Sequence, residues 1–306
     1  MKFLKGLLLS LLNFLLFCSI IALGFAYMMN QTIMDPNFVN RQIDKLDIAA
    51  AVSSVISVPK TPSDAQTFID SNTLNNSIAA AIKSSEPELK DELNKAILGA
   101  YDYFLGKSNY LTIDISLSSV KKNLKSTLWS NFQKSPPSQI SGVPYSQIPP
   151  AQVEQVFNQY FDQFTQNIPS SFTLDTNKLN PATLKTIQDV KQYIGYYDIG
   201  WKLTIPLILV LAIAIVFLEN NLRGSLRSLG INLFLFGALG VVSDFLLNRY
   251  ATPSTVIPGL PAALSTWLNG FLNDVFAPLN VFSIAVASIG AVLFIVSFFI
   301  KKKETA

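Results

Sequence analysis

Hydrophobic residues are distributed along this chain in two ways. In four runs they are nearly continuous; between the first two runs they recur among polar residues at helical or alternating spacing. A helix crosses a bilayer core with about 17–25 mostly apolar residues. The runs at 6–27, 201–218, 229–247 and 281–300 meet that length. They predict a mainly α membrane protein: four transmembrane helices and an α-rich extracytoplasmic domain with a minor two-stranded β element.

The long segment at 28–200 carries the periodic patterns. Asp35-Pro36 has the form of a helix cap followed by proline at the first helical position. Phe38, Val39, Ile43, Leu46, Ala49 and Val52 then recur at helical spacing, up to Pro59 and Pro62. Further helices are expected over about 63–83, 87–105, 118–132, 150–168 and 181–197, the last leading into the second span. Gly106 is placed to stop the third of these six helices. Leu111, Ile113, Ile115 and Leu117 alternate with Thr112, Asp114 and Ser116, the clearest period-two pattern in the chain. Ser171 to Asp175 alternates in the same way. A lone strand leaves its backbone groups unpaired, so these two segments are expected to pair. Residues 135–150, rich in Pro, Ser and Gln, read as a loop.

Within 150–168, Val153, Val156, Phe157, Tyr160, Phe161 and Phe164 form an apolar side. Gln152, Gln155, Gln159 and Gln163 lie opposite, as an uncharged solvated face or a recognition surface for a glycan or partner protein. In the second outer segment, 248–280, the stretch 260–276 places Leu264, Trp267, Leu268, Phe271 and Leu272 on one face. That pattern fits an amphipathic helix lying on the membrane or against the domain, with Trp267 suited to interfacial depth.

Small and polar residues mark packing faces on the spans. Gly6, Ser10, Asn13 and Gly24 fall on one stripe of the first; Gly237 and Gly240 lie in the third. Ser283, Ala287 and Ala291 recur every four residues in the fourth, beside Gly290. Small residues let membrane helices approach closely, and asparagine bonds across helices. The alternative is a substrate path lined by Asn13 and Asn232. Asp244 is the one acid near a span interior; pairing with Arg249 at the outer boundary is expected, with a proton relay as the alternative.

Charge gives the orientation. A cytoplasmic N-terminus puts Lys2, Lys5, Arg223, Arg227, Lys301, Lys302 and Lys303 inside, opposed by Glu219 and Glu304 alone. Positive residues concentrate on the cytoplasmic side, so segments 1–5, 219–228 and 301–306 are expected there. The first run is read as an uncleaved helix, because it is long and no small-x-small site follows it. Cys18 is preceded by Phe17, not by the small residue of a lipoprotein signal, and reads as an apolar filler. Two glycosylation-type triplets, at Asn30 and Asn75, fall on the predicted outer side.

Composition narrows the chemistry. Charged residues are 14% of the 306, against roughly 25% in soluble domains. There is no histidine and one cysteine. Histidine-based nucleophile systems, all-protein zinc sites and intrachain disulfides are therefore excluded. A net charge of +3 does not point to nucleic acid. Glu86, Glu88, Asp91 and Glu92 read as a helix-start cluster, and Asp44 and Asp47 as surface acids. No catalytic residues, cofactor or metal are expected. The expected partners are the bilayer and other membrane or envelope proteins, and self-association is compatible with the packing faces.

One segment resembles a known family. Leu226-Arg227-Ser228-Leu229-Gly230 is similar to the Leu-Arg-x-Leu-Gly run that ends the basic loop of FtsX-type permeases, which also have one span, a large outer domain and three further spans. That likeness implies a permease-like subunit of an ABC transporter. Those permeases carry a cytoplasmic helix before the first span, where five residues stand here, and a longer loop. The reading from the residues themselves is a non-enzymatic membrane protein whose outer domain binds or scaffolds, with a carboxylate-dependent enzyme as a further alternative.

Overall fold

A computed structural model describes residues 2–50, 71–140, 143–166, 168–219, 221–250 and 262–300, with backbone alone for 2, 71–72, 244–250 and 262–263. The helix end expected near Pro59, the start of the helix expected at 63, the Asp244–Arg249 pair and the terminal lysines lie outside what is described. The elements run α1 (Lys2–Gln31), α2 (Pro36–Lys45), α3 (Ser71–Phe104), β1 (Thr112–Ser116), α4 (Ser118–Lys134), β2 (Gln139–Ile140), β3 (Val143–Pro144), α5 (Pro150–Thr165), β4 (Ser171–Asp175), α6 (Pro181–Glu219), α7 (Leu222–Tyr250) and α8 (Ala262–Phe299). The protein is mostly helical, and α1, α6, α7 and α8 are each long and apolar enough to cross a membrane. The chain divides into two units.

The first, the span unit, comprises Met1–Val39, Gln188–Gly259 and Leu268–Ala306. Its core takes Leu16 and Ile20 from α1, Leu211 and Ile215 from α6, Phe236 from α7 and Val286 from α8. The outward surface is apolar as well: Phe14, Leu203, Phe217 and Val292 are all exposed. Such a surface suits hydrocarbon, where helices satisfy their backbone internally. The Tyr197 hydroxyl donates to the Ala26 carbonyl at 3.0 Å, joining α6 to α1. Asp35 accepts from the Asn37 amide at 3.0 Å, so the expected cap opens α2.

The second, the helix–strand unit, comprises Asn40–Ile187 and Leu260–Trp267. β1 and β4 pair antiparallel, with Ile113 opposite Leu174 and Ile115 opposite Phe172, as the alternation predicts. Thr176 extends the ladder: its amide donates to Leu111 O at 3.0 Å, and its hydroxyl accepts from the Leu111 amide at 3.1 Å. A second short pair, β2 with β3, lies in the stretch read as a loop. Its Ile140 is buried in the main core with Leu74 and Ala81 of α3, Leu124, Leu128 and Phe132 of α4, and Val153, Phe157 and Phe161 of α5. Fully burying each large side chain contributes about 1.5–3 kcal/mol.

Two bonds from half-buried asparagines to buried serines set the register of α3 against α4. Asn131 donates to the Ser77 hydroxyl at 2.9 Å and Asn123 to the Ser85 hydroxyl at 2.8 Å. Each serine donates in turn to the carbonyl four residues back, at Thr73 and Ala81. The partners run in opposite directions, so the helices are antiparallel.

Proline and glycine explain where helices differ from expectation. The two stretches expected at 63–83 and 87–105 merge in α3, with Pro87 inside it. Pro87 removes the bond to the Lys83 carbonyl, at a place on the helix where both residues are exposed. Glu86 to Glu92 therefore sit mid-helix, and ion pairs account for them in place of a helix dipole: Glu86–Lys90 at 2.9 Å and Asp91–Lys95 at 2.6 Å. α3 does stop as expected. Gly106 has φ +77°, the Lys107 amide reaches back to Asp102 O and the Gly106 amide to Tyr103 O, the pattern of a Schellman cap. The first helix ends at Lys45, earlier than the periodicity implies, because Asp47 accepts from the Ala50 amide at 2.7 Å and starts a new turn. α7 already begins at Leu222, inside the expected inner loop, capped by Asn221 on the Arg223 amide. α8 joins the expected amphipathic helix and fourth span into one, with Pro278 inside.

The serine–asparagine clamps predict a measurable coupling. Ser77→Ala and Asn131→Ala should each lower unfolding stability by about 1–3 kcal/mol, because each leaves a buried partner unsatisfied. The double variant should lose less than the sum in denaturant melts of the full chain in detergent; strict additivity would mean the bond is not made.

Candidate functional site

Asn13 lies on the stripe of small and polar residues read from α1. Its side-chain amide donates to Leu9 O at 2.8 Å. Its oxygen accepts from the Ser228 hydroxyl at 2.9 Å and from the Asn232 amide. Asn13 and Asn232, the residues of the path alternative, are thus brought together and bonded to each other. The node holds α1 against α7. Ser228 and Gly230, which carry part of the permease-like run, both serve helix packing here.

The seam between α7 and α8 is built from the small residues. A Cβ on Gly237 would strike the Ser283 carbonyl and the Ala287 side chain; one on Gly230 would come within 2.7 Å of the Phe294 amide nitrogen. Gly290 would strike the Phe234 amide in the same way. The third close contact on α8 therefore runs through Gly290. The adjacent Ala291 lines a groove with Ile231 and Phe294. Spacings of four and three follow the helical repeat more closely than two spacings of four. Gly24 of α1 makes room for rings: a Cβ there would lie 3.1 Å from Phe282 and 3.2 Å from Phe236.

Beside the seam is a cavity of about 200 Å³ lined by Phe17, Phe236, Leu239, Gly240, Asn280 and Ser283. Ser283 is fully buried, and its hydroxyl has no hydrogen-bond partner among the described residues. Its oxygen sits where a side chain on Gly240 would begin. Asp244 and Arg249 lie in α7, with side chains outside the described residues.

The amphipathic face at the start of α8 packs on protein. The Trp267 indole donates to the Gln42 carbonyl at 2.8 Å. Phe271 meets Phe38 at 6.2 Å between ring centroids. Leu264, Leu268 and Leu272 are half-buried. The hydroxyl residues of both glycosylation-type triplets, Thr32 and Ser77, are fully buried.

In the helix–strand unit, α5 presents the glutamine stripe to solvent. Gln152, Gln155, Gln159 and Gln163 are all exposed, while Val153, Phe157 and Phe161 are buried. Burial pushes the Tyr160 phenol above its ordinary pKa. On α3, hydrogen bonds to Asp91 and Glu92 raise the Lys95 ammonium. Among the described residues, no three or more of His, Cys, Asp and Glu are grouped so as to hold a metal ion. The chain matches no protein-family model, no curated protein and no solved structure.

Gly237→Val should lower the melting temperature in detergent, by an overpacking cost of about 1–3 kcal/mol. Gly270→Ala, where an added Cβ meets nothing within 4 Å, should leave it unchanged or raise stability by up to about 1 kcal/mol. An unchanged Gly237→Val protein would rule out the close seam. The Tyr160 shift gives a pH signature. A folded-state pKa above the unfolded value stabilises below the unfolded value, and that contribution is lost as pH rises through the folded one. Thermal melts above about pH 10 should therefore decline less steeply for Tyr160→Phe than for the parent.

Proposed function

We propose that this is a multi-pass membrane protein of the cell envelope, with cytoplasmic termini and an extracytoplasmic helix–strand unit that acts without catalysis, as a binding or scaffolding module. The charge distribution carries this reading. Seven basic residues against two acidic ones fall on the segments assigned to the inside, whereas 30–200 holds 14 Lys and Arg against 16 Asp and Glu. Such asymmetry on short loops sets the orientation of membrane proteins.

The surface of the unit supports a binding role. The α5 stripe offers exposed amides, which donate and accept hydrogen bonds without fixing a sign of charge. The acids Glu86, Asp91 and Glu92 are engaged with Lys90 and Lys95. Exposed polar groups carried by a rigid helix are well placed for recognition, because little side-chain entropy beyond their own is lost on contact.

Labelling tests the orientation. Ser138 is exposed, and Ser138→Cys should react with a membrane-impermeant maleimide in intact cells. Reaction only after permeabilisation would overturn the topology. Purification in mild detergent tests the role: a stable surface partner that is lost on Gln155→Arg supports it. Stoichiometric co-purification of an ATPase would replace it with the permease reading.

A further inference from the structure

A cleft of about 220 Å³ lies between α4 and α5, within the helix–strand unit. Lys122, Lys125, Ser126 and Trp129 line one wall; Glu154 and Asn158 line the other, above the buried Phe157. The spacing explains the convergence. Positions 122, 125, 126 and 129 share one face of α4, and 154, 157 and 158 share one face of α5.

The base of the cleft is rigid. Trp129 packs against Phe157 at 4.8 Å and stacks on Phe132 at 5.6 Å and 13° between ring planes. Phe157 is 1% exposed. The rim is charged but not closed on itself. Lys122 and Lys125 stand across from Glu154, yet no ion pair joins them among the described residues. Lys125 lies 5.7 Å from the centroid of the Phe161 ring, held over an aromatic face. Two ammonium groups and one carboxylate leave the cleft with one net positive charge.

We infer that this cleft binds a single acidic sugar unit, a hydroxylated ring bearing one negative charge. The Trp129 indole supplies an apolar platform for the C–H face of the ring. Lys122 and Lys125 face its acid group, and the Ser126 hydroxyl, the Asn158 amide and the Glu154 carboxylate supply partners for its hydroxyls. A monoanion neutralises the cleft. Ligand sites for drug-sized molecules are roughly 300–1,000 Å³, so a cleft of this size takes one ring and not an oligosaccharide. The inference deepens the reading of the unit as a binding module, but does not depend on which side of the membrane the unit faces.

The test uses the purified full chain in detergent, with sodium glucuronate as the probe, glucose as the neutral ring and acetate as the charge without the ring. Calorimetry and saturation-transfer NMR should show glucuronate binding and at least about tenfold weaker binding of glucose and acetate. Lys122→Gln and Lys125→Gln should each weaken glucuronate by about tenfold, as expected for losing a charge-assisted contact. Lys178→Gln, at an exposed site elsewhere, should not. Raising the salt concentration should weaken binding to the unmodified protein, which keeps the test decisive if a variant folds poorly. No glucuronate binding, equal binding of glucose, or indifference to both lysines and to salt would overturn the proposal. The labelling result at Ser138 is independent of every one of these outcomes.

Discussion

A half-buried asparagine amide bonded to a serine hydroxyl on a facing helix is a contact that both units share. In the helix–strand unit it occurs twice, at Asn131–Ser77 and Asn123–Ser85. In the span unit Asn13 accepts from Ser228 and Asn232. Apolar side chains supply most of the burial energy, but they tolerate sliding. A directional bond to a buried hydroxyl does not, because sliding breaks it, and a buried group left unsatisfied costs about 1–3 kcal/mol. Moving α3 along α4 by one turn would break both clamps together. In hydrocarbon the same bond gives direction to helices whose surfaces are otherwise as apolar as their surroundings.

The clamps work because the helices they join come close. On α7 and α8 this closeness is supplied by Gly230, Gly237 and Gly290, each of which meets backbone atoms where a side chain would stand. The same removal of bulk has a second effect nearby. At Gly240 it makes room for the fully buried Ser283, whose oxygen sits where a side chain would begin, and both residues line the cavity. Aromatic rings fill the comparable space at Gly24, where Phe236 and Phe282 meet edge to face at 5.9 Å. The span unit thus combines a tight seam with a pocket beside it, and the space at these glycines is taken by backbone, ring or hydroxyl.

The helix–strand unit divides its work between the faces of one helix. α5 buries Val153, Phe157 and Phe161 on one side and exposes glutamines on the other. Between these faces lie Glu154 and Asn158, at the cleft with α4. A packed aromatic base next to charges that form no ion pair with each other is an arrangement in which a ligand gains, because the protein has little to reorganise on binding. The packing that makes this core also fixes the geometry of the proposed site.

Much of the architecture was legible in the chain. Long apolar runs identified the spanning helices, since only helices of that length suit a bilayer. Strict alternation at 111–117 and 171–175 identified β1 and β4, and the need to satisfy backbone groups identified their pairing. Gly106 and Asp35 marked a stop and a start by local conformation alone. Tertiary structure decided the rest. Pro87 does not end α3, where it stands exposed; the separate amphipathic helix is one with the last span. The cleft between α4 and α5 was not read from the chain either, because its walls come from segments about 30 residues apart that are brought together by core packing such as Trp129 on Phe157. Periodicity determines which side of a helix is apolar, a property of neighbouring residues. Which two faces meet, and what stands open between them, depends on contacts between residues far apart in sequence.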